Sequence, residues 1–169
     1  MSVDQKDIDA ITLQLNRTPR GLIEVSNRCK CGNPCVVSTK PSLEDGEPFP
    51  THFYLTCATL NSLIGSSEAK GLMKEYEERL STDKDFLEKY KLAHLDYLKR
   101  RNQYGQNDEI NNISAGGMPN RVKCLHALVA HSLAVGPGIN PVGDDALERL
   151  GNWFKKSCIE DKLWNELQQ

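Results

Sequence analysis

Two stretches of the chain carry side chains suited to chemistry. The first is Cys29-Lys30-Cys31-Gly32-Asn33-Pro34-Cys35, three thiols around a turn. Zinc takes about four thiolate or imidazole ligands, so this run resembles half of a zinc knuckle. The other half must come from elsewhere, and Cys57, Cys124 and one His are the candidates. The second stretch is Ser114-Ala115-Gly116-Gly117-Met118-Pro119-Asn120-Arg121-Val122-Lys123-Cys124-Leu125-His126. Glycines ahead of a helix leave backbone N–H groups free. The helix dipole adds partial positive charge there. With the full charges of Arg121 and Lys123, this makes Gly116, Gly117, Arg121 and Lys123 a candidate pocket for a phosphate or carboxylate. Cys124 lies in the first turns, where a thiolate is stabilised. It is a candidate nucleophile, with His126 or His94 as its base. The competing reading is that the glycines only turn the chain and Cys124 is a small buried residue.

Helix geometry restricts the ligand choice. If residues 124–135 are helical, Cys124 and His126 point to nearly opposite sides. Cys124 and His131 share a face but lie about 10 Å apart along the axis. One ion is therefore not expected to hold both of the latter. Binding by Cys124 and His126 together requires the helix to begin at or after Cys124. His131 then reads as a core residue or a support for the site. His94 lies on an apolar helical stripe, where a histidine is ordinarily bonded within the core. The loop Gly136-Pro137-Gly138-Ile139-Asn140-Pro141-Val142-Gly143-Asp144 reads as structural.

The elements that must position these groups can be traced along the chain. Residues 4–16 read as a helix, with Ile8, Ile11 and Leu15 at helical spacing and Asp4 as a cap. Three short β-like runs follow, at 22–25, 35–39 and 53–57, with a hairpin tip at Gly32-Asn33-Pro34. Helices are expected at 58–64, at 70–80, and from a capping box of Thr82 and Asp85 onward. Residues 102–115 read as a mobile polar connection. A helix is expected from near Pro119 to Val135, and a last amphipathic stretch from Asp144 or Asp145. The spacing thus predicts one α+β domain over residues 1–169: a small antiparallel sheet of about three strands on a mainly helical layer, with a helical extension at 151–169.

Bulk properties exclude several classes. The chain has 169 residues, 26% charged and 38% hydrophobic, with a formal net charge of -2, which fits a folded globule. No basic excess points to nucleic acid or to an anionic membrane. No apolar run reaches the roughly 20 residues that span a bilayer, and the N-terminus has no secretory signal. A cytosolic location follows as an expectation. For the six cysteines that favours reduced thiols, a metal or catalysis over disulfides.

Several segments together resemble a known family. They are Pro19-Arg20-Gly21, Arg28-Cys29, Pro48-Phe49-Pro50-Thr51 with Leu55-Thr56-Cys57, Ala93-His94 with Tyr97 and Arg101, the run Gly116 to His126, and Asn140-Pro141 with Gly143-Asp144. In this order, from about residue 18 to about residue 150, they resemble the bacterial, mainly actinobacterial, domain of unknown function 501. The resemblance implies a cytosolic protein of a family without an established activity, with a gene-neighbourhood hint toward cell division or phosphate metabolism. It also implies weight on Cys29, Cys57 and Cys124 as metal ligands and takes weight from Cys31, Cys35 and Cys158.

Three expectations follow. The leading one is a metal–thiolate centre of Cys29, Cys57, Cys124 and His126, holding zinc, or an iron–sulfur cluster. It would lie beside an anion site for a phosphate-containing small molecule. The second is a non-catalytic module that binds a protein partner in division through the charged helical face of residues 70–101. The third is a thiol-dependent enzyme acting on a phosphorylated or acyl substrate, with Cys124 as nucleophile.

Overall fold

The computed structural model describes residues 3–154 and 157–159. Among these, six helices accompany one three-stranded antiparallel sheet, an α+β arrangement. The order is α1 (Gln5–Leu15), β1 (Leu22–Arg28), β2 (Pro34–Thr39), β3 (Phe53–Leu55), α2 (Ala58–Ala69), α3 (Leu72–Thr82), α4 (Lys84–Asn102), α5 (Leu125–Val135) and α6 (Pro141–Leu150).

The sheet order is β1-β2-β3, so β2 is central, and all six of its residues are buried. Pro34 is tolerated because it opens the strand, where no ladder donor is required. The β1–β2 turn closes through Cys29 N–H to the Asn33 carbonyl at 2.9 Å and Gly32 N–H to the Cys29 carbonyl at 2.8 Å. Gly32 takes φ +87° in this turn, a conformation that costs glycine nothing. Cys29 and Cys31 are thereby displayed at the hairpin tip. At the other side of the sheet, the Tyr97 hydroxyl of α4 accepts from the N–H groups of His52 and Phe53, at 2.6 and 3.2 Å. That contact pins α4 to β3.

The α5 sequence is apolar around most of its circumference, and such a helix has to be buried. Seven of its eleven residues are buried, and it packs against β3, α2 and α6. It is the axle of the molecule.

Several boundaries differ from the sequence expectations, each for a local reason. Helix α3 runs through Thr82, and the cap of α4 is Asp83, whose carboxylate accepts from Phe86 N–H at 3.0 Å. Helix α2 continues past Ile64 through Gly65-Ser66-Ser67 to Ala69, with Ser67 Oγ bonded to the Leu63 carbonyl at 3.1 Å. Helix α6 begins earlier, because Asn140 caps it through Gly143 N–H at 3.1 Å and Pro141 occupies its first turn. The 102–115 connection is tied down at its centre, since the buried Arg101 guanidinium donates to the carbonyls of Ile110 and Ile113 at 2.7 and 2.5 Å. The helical extension expected at 151–169 falls mostly outside the described residues; residues 151–154 and 157–159 are not helical.

Candidate functional site

The cysteines divide between two places. Cys29 and Cys31 on the hairpin tip meet Cys158, which follows α6, and the three sulfurs lie within 4.8 Å of one another. Cys31 Sγ stands 3.4 Å from Cys158 Sγ. Cys57, between β3 and α2, reaches the thiols of Cys158 and Cys35. All six cysteines are free thiols. Burial pushes the Cys29 thiol up to about 11. At Cys57 the contact with Cys158 lowers the thiol, but Cys35 and burial outweigh it, leaving it pushed up to about 12. Cys158 is raised by its hydrogen bond to Cys57 and by burial. Crowded, desolvated thiols of this kind hold their protons until a cation takes their place. Cys31 and Cys158, from which the family resemblance takes weight, therefore stand directly beside Cys29. No local motif marks Cys158, because the contact spans 127 residues.

Cys124 and His126 are elsewhere, at the start of α5. The helix begins at Leu125, not near Pro119, and Cys124 is its extended N-cap at φ -154°, ψ 109°. The delay comes from the glycine loop, which closes on itself: Arg121 N–H bonds the Gly117 carbonyl at 2.8 Å and Lys123 N–H bonds the Gly116 carbonyl at 2.7 Å. A Cβ on Gly117 would meet the Arg121 carbonyl oxygen at 2.7 Å, so the close approach demands glycine. With Cys124 outside the helix, the side chains of Cys124 and His126 come together, Sγ to Nδ1 at 3.9 Å.

Glu68, in the last turn of α2, completes this group. Its Oε1 accepts from Leu125 N–H at 2.8 Å and lies 3.3 Å from His126 Nδ1. His126 Nε2 is 3.1 Å from the Asn61 carbonyl. Contact with Cys124 is the main cause that raises His126, to about 9. Burial pushes the Cys124 thiol up, but His126 and the Ala127 N–H outweigh it and leave the thiol below its ordinary value. The pair lines a cavity of about 490 Å³ whose walls include Leu15, Phe53, Leu55 and Asn61, a size ordinary for small-molecule sites. Sequence reasoning missed Glu68 because it lies beyond the helix expected at 58–64, in the part of α2 that the structure adds.

The expected anion cap is partly occupied from within the chain. Arg121 Nε is 2.6 Å from the Glu77 carboxylate. The first N–H of α5 already has an anion, Glu68. The helical face considered for a partner carries two exposed leucines, Leu92 at 64% and Leu95 at 59%.

The remaining histidines are core residues. His131 is fully buried, with Nε2 2.9 Å from Asp96 and Nδ1 3.2 Å from Asn140 Nδ2. His94 Nδ1 is 2.7 Å from Ser114 Oγ, and His52 Nδ1 is 2.8 Å from the Thr39 carbonyl. Burial lowers the pKa of all three. Each therefore binds its proton less tightly in the fold than in the unfolded chain, where the value is near 6.5. Stability therefore falls as pH drops below about 6.5, by up to about 1.4 kcal/mol per pH unit for each histidine. His126 does not offset this loss, because with a raised pKa it is protonated in both states in that window. Melting temperatures at pH 6.5 and pH 5 are expected to differ by several degrees, the acid value lower. Equal values would show that these imidazoles are protonated in the folded protein.

No helix among the described residues is long and apolar enough to cross a membrane. No curated protein and no solved structure matches the chain. One family does: its description, "Protein of unknown function (DUF501)", matches residues 25–148. That range holds Cys29, Cys31, Cys57, Glu68, Cys124 and His126 and leaves Cys158 outside, and on a match covering most of its length the chain belongs to the DUF501 family.

Proposed function

We propose that this chain is a metal–thiolate protein in which Cys29, Cys31, Cys57 and Cys158 hold one zinc ion. The observation that carries this reading is the meeting of Cys158 with the Cys29–Cys31 hairpin tip, three sulfurs mutually within 4.8 Å. Cys57 lies outside that group of three and would join it as the fourth thiolate from its place beside Cys158. A closed set of four protein ligands is the mark of a structural site, which contributes folding energy outright. Its role is to staple the segment after α6 onto the sheet, and the cavity at the start of α5 remains for a small molecule carrying an anionic group. The same four thiols would suit an iron–sulfur cluster.

Metal analysis of full-length protein purified without oxygen tests this. The thiol cluster is expected to hold one zinc per chain, and Cys29→Ser and Cys158→Ser each lose that equivalent, with a melting temperature that falls when a chelator is added. Iron with acid-labile sulfide would replace zinc by a cluster on the same ligands. A metal-free, fully folded protein whose melting is unchanged by Cys29→Ser sinks the reading. Thiol titration that finds Cys31 and Cys158 oxidised together would sink it as well.

A further inference from the structure

The group at the start of α5 has its own geometry, distinct from that of the cysteine cluster. Cys124 Sγ, His126 Nδ1 and a Glu68 carboxylate oxygen lie within 4.8 Å of one another. Two of the separations are 3.9 Å, sulfur to nitrogen, and 3.3 Å, nitrogen to oxygen. Ligands at tetrahedral positions around zinc, with bonds of about 2.0–2.3 Å, stand about 3.3–3.7 Å apart. The three donors are thus close to the spacing that an ion would impose.

The orientation of the histidine is also fixed. Its Nε2 faces the Asn61 carbonyl at 3.1 Å, and a carbonyl only accepts, so Nε2 carries the hydrogen. In the neutral ring Nδ1 then presents its lone pair to the Cys124 sulfur and the Glu68 oxygen. Metal-bound histidines are held in this way, with the second ring N–H on a backbone carbonyl or a carboxylate. With no ion present, the 3.3 Å approach of Nδ1 to the Glu68 oxygen is a hydrogen bond of the protonated ring, and a metal ion would take the place of that proton.

Each donor is held by a different feature. Cys124 is the extended N-cap of α5, His126 sits in the first turn of that helix, and Glu68 in the last turn of α2 is steadied by Leu125 N–H. Cys124 and His126 both line the cavity of about 490 Å³. With two of its three ligands on the cavity wall, such a site would leave the fourth position for water or substrate, as in catalytic zinc sites and unlike closed structural ones.

We infer that Cys124, His126 and Glu68 form a second site for a zinc-class divalent cation, with a fourth coordination position open to the cavity for water or for the anionic oxygen of a small organic ligand. The mixed sulfur, nitrogen and oxygen set suits a borderline-soft ion, not calcium or magnesium. The site does not depend on the thiol cluster proposed above.

Stoichiometry in the full-length protein, stripped with chelator and reloaded with zinc, separates the two. Two equivalents are expected in the wild type, one in Cys124→Ser and one in Cys29→Ser. If the thiol cluster binds nothing, the wild type holds one equivalent, which Cys29→Ser keeps and Cys124→Ser loses. Should Cys124→Ser fail to fold, Glu68→Gln carries the same test with a loss of one equivalent. Zinc is also expected to slow alkylation of Cys124 by iodoacetamide, followed on the peptide containing it. Unchanged zinc content in folded Cys124→Ser and Glu68→Gln overturns the inference. So does alkylation of Cys124 at the same rate with and without zinc, the behaviour of a thiolate–imidazolium pair working without metal.

Discussion

Gly143→Ala is expected to destabilise the protein by about 3 kcal/mol, a fall in melting temperature of roughly 10 °C for a chain of this size. Gly143 lies in the first turn of α6, where that helix crosses α5. A Cβ there would fall inside contact distance of the Leu128 carbonyl oxygen and the Ser132 hydroxyl, and 2.8 Å from the Leu128 carbonyl carbon. Two of these atoms are backbone of a buried helix. The third is committed, since Ser132 Oγ donates to the Asn140 carbonyl at 3.2 Å. The only relief is to push α6 away from α5, which opens the core around Val142 and Ala146, both buried. Alanine gains up to about 1 kcal/mol over glycine in helix propensity, less than the cost of separating the helices. A change of under 2 °C in a thermal melt would show that the crossing is looser than these distances state. Because α5 carries Cys124 and His126 at its start, the same variant is expected to weaken zinc binding at that end.

Arg101→Met is the second large effect, a loss of about 3 kcal/mol. Arg101 is 1% exposed and has no carboxylate partner among the hydrogen bonds described. Its guanidinium donates to the carbonyls of Ile110 and Ile113 and, at 3.4 Å, of Pro50. Its Nε is buried without a partner among the described residues. Two terms oppose each other. Removing the side chain relieves the cost of burying a charge, which is also why its pKa is lowered. It also strands carbonyls, at about 1–3 kcal/mol for each that stays buried and unpaired. The second term wins because two of the three bonds are short and charge-assisted. Replacing both sides of a buried polar contact can be neutral, whereas removing one side is not. Arg101→Lys keeps the charge but not the fork, and is expected to fall between Met and wild type. A Met variant as stable as wild type would mean that water reaches the freed carbonyls. In either case the segment 102–115 loses its tie, so proteolysis within it should accelerate.

Much of the architecture is written locally. The cap at Asp4, the turn at Gly32-Asn33-Pro34 and the three strand cores depend on neighbours a few residues away, and the structure keeps them. Helix ends were less legible where two signals competed. Thr82 with Asp85 reads as a capping box, yet Asp83 takes the N–H of Phe86 because an aspartate reaches it as well. The helix expected at 58–64 continues to Ala69, with burial of Leu60 and Ile64 holding its earlier turns in place.

For the candidate sites, the sequence by itself determined the chemistry: which thiols and imidazoles exist, and that Cys124 and His126 can act together only if α5 starts at or after Cys124. The tertiary structure decided the partners. It joined Cys29 and Cys31 to Cys158 across 127 residues, and it brought Glu68 from α2 to the N-terminus of α5. The reason is physical. Turn and cap signals act through hydrogen bonds between near neighbours, so they leave a pattern in the chain. Convergence of distant side chains is set by which apolar faces bury one another, here α5 against β3, α2 and α6, and no spacing along the sequence records that outcome.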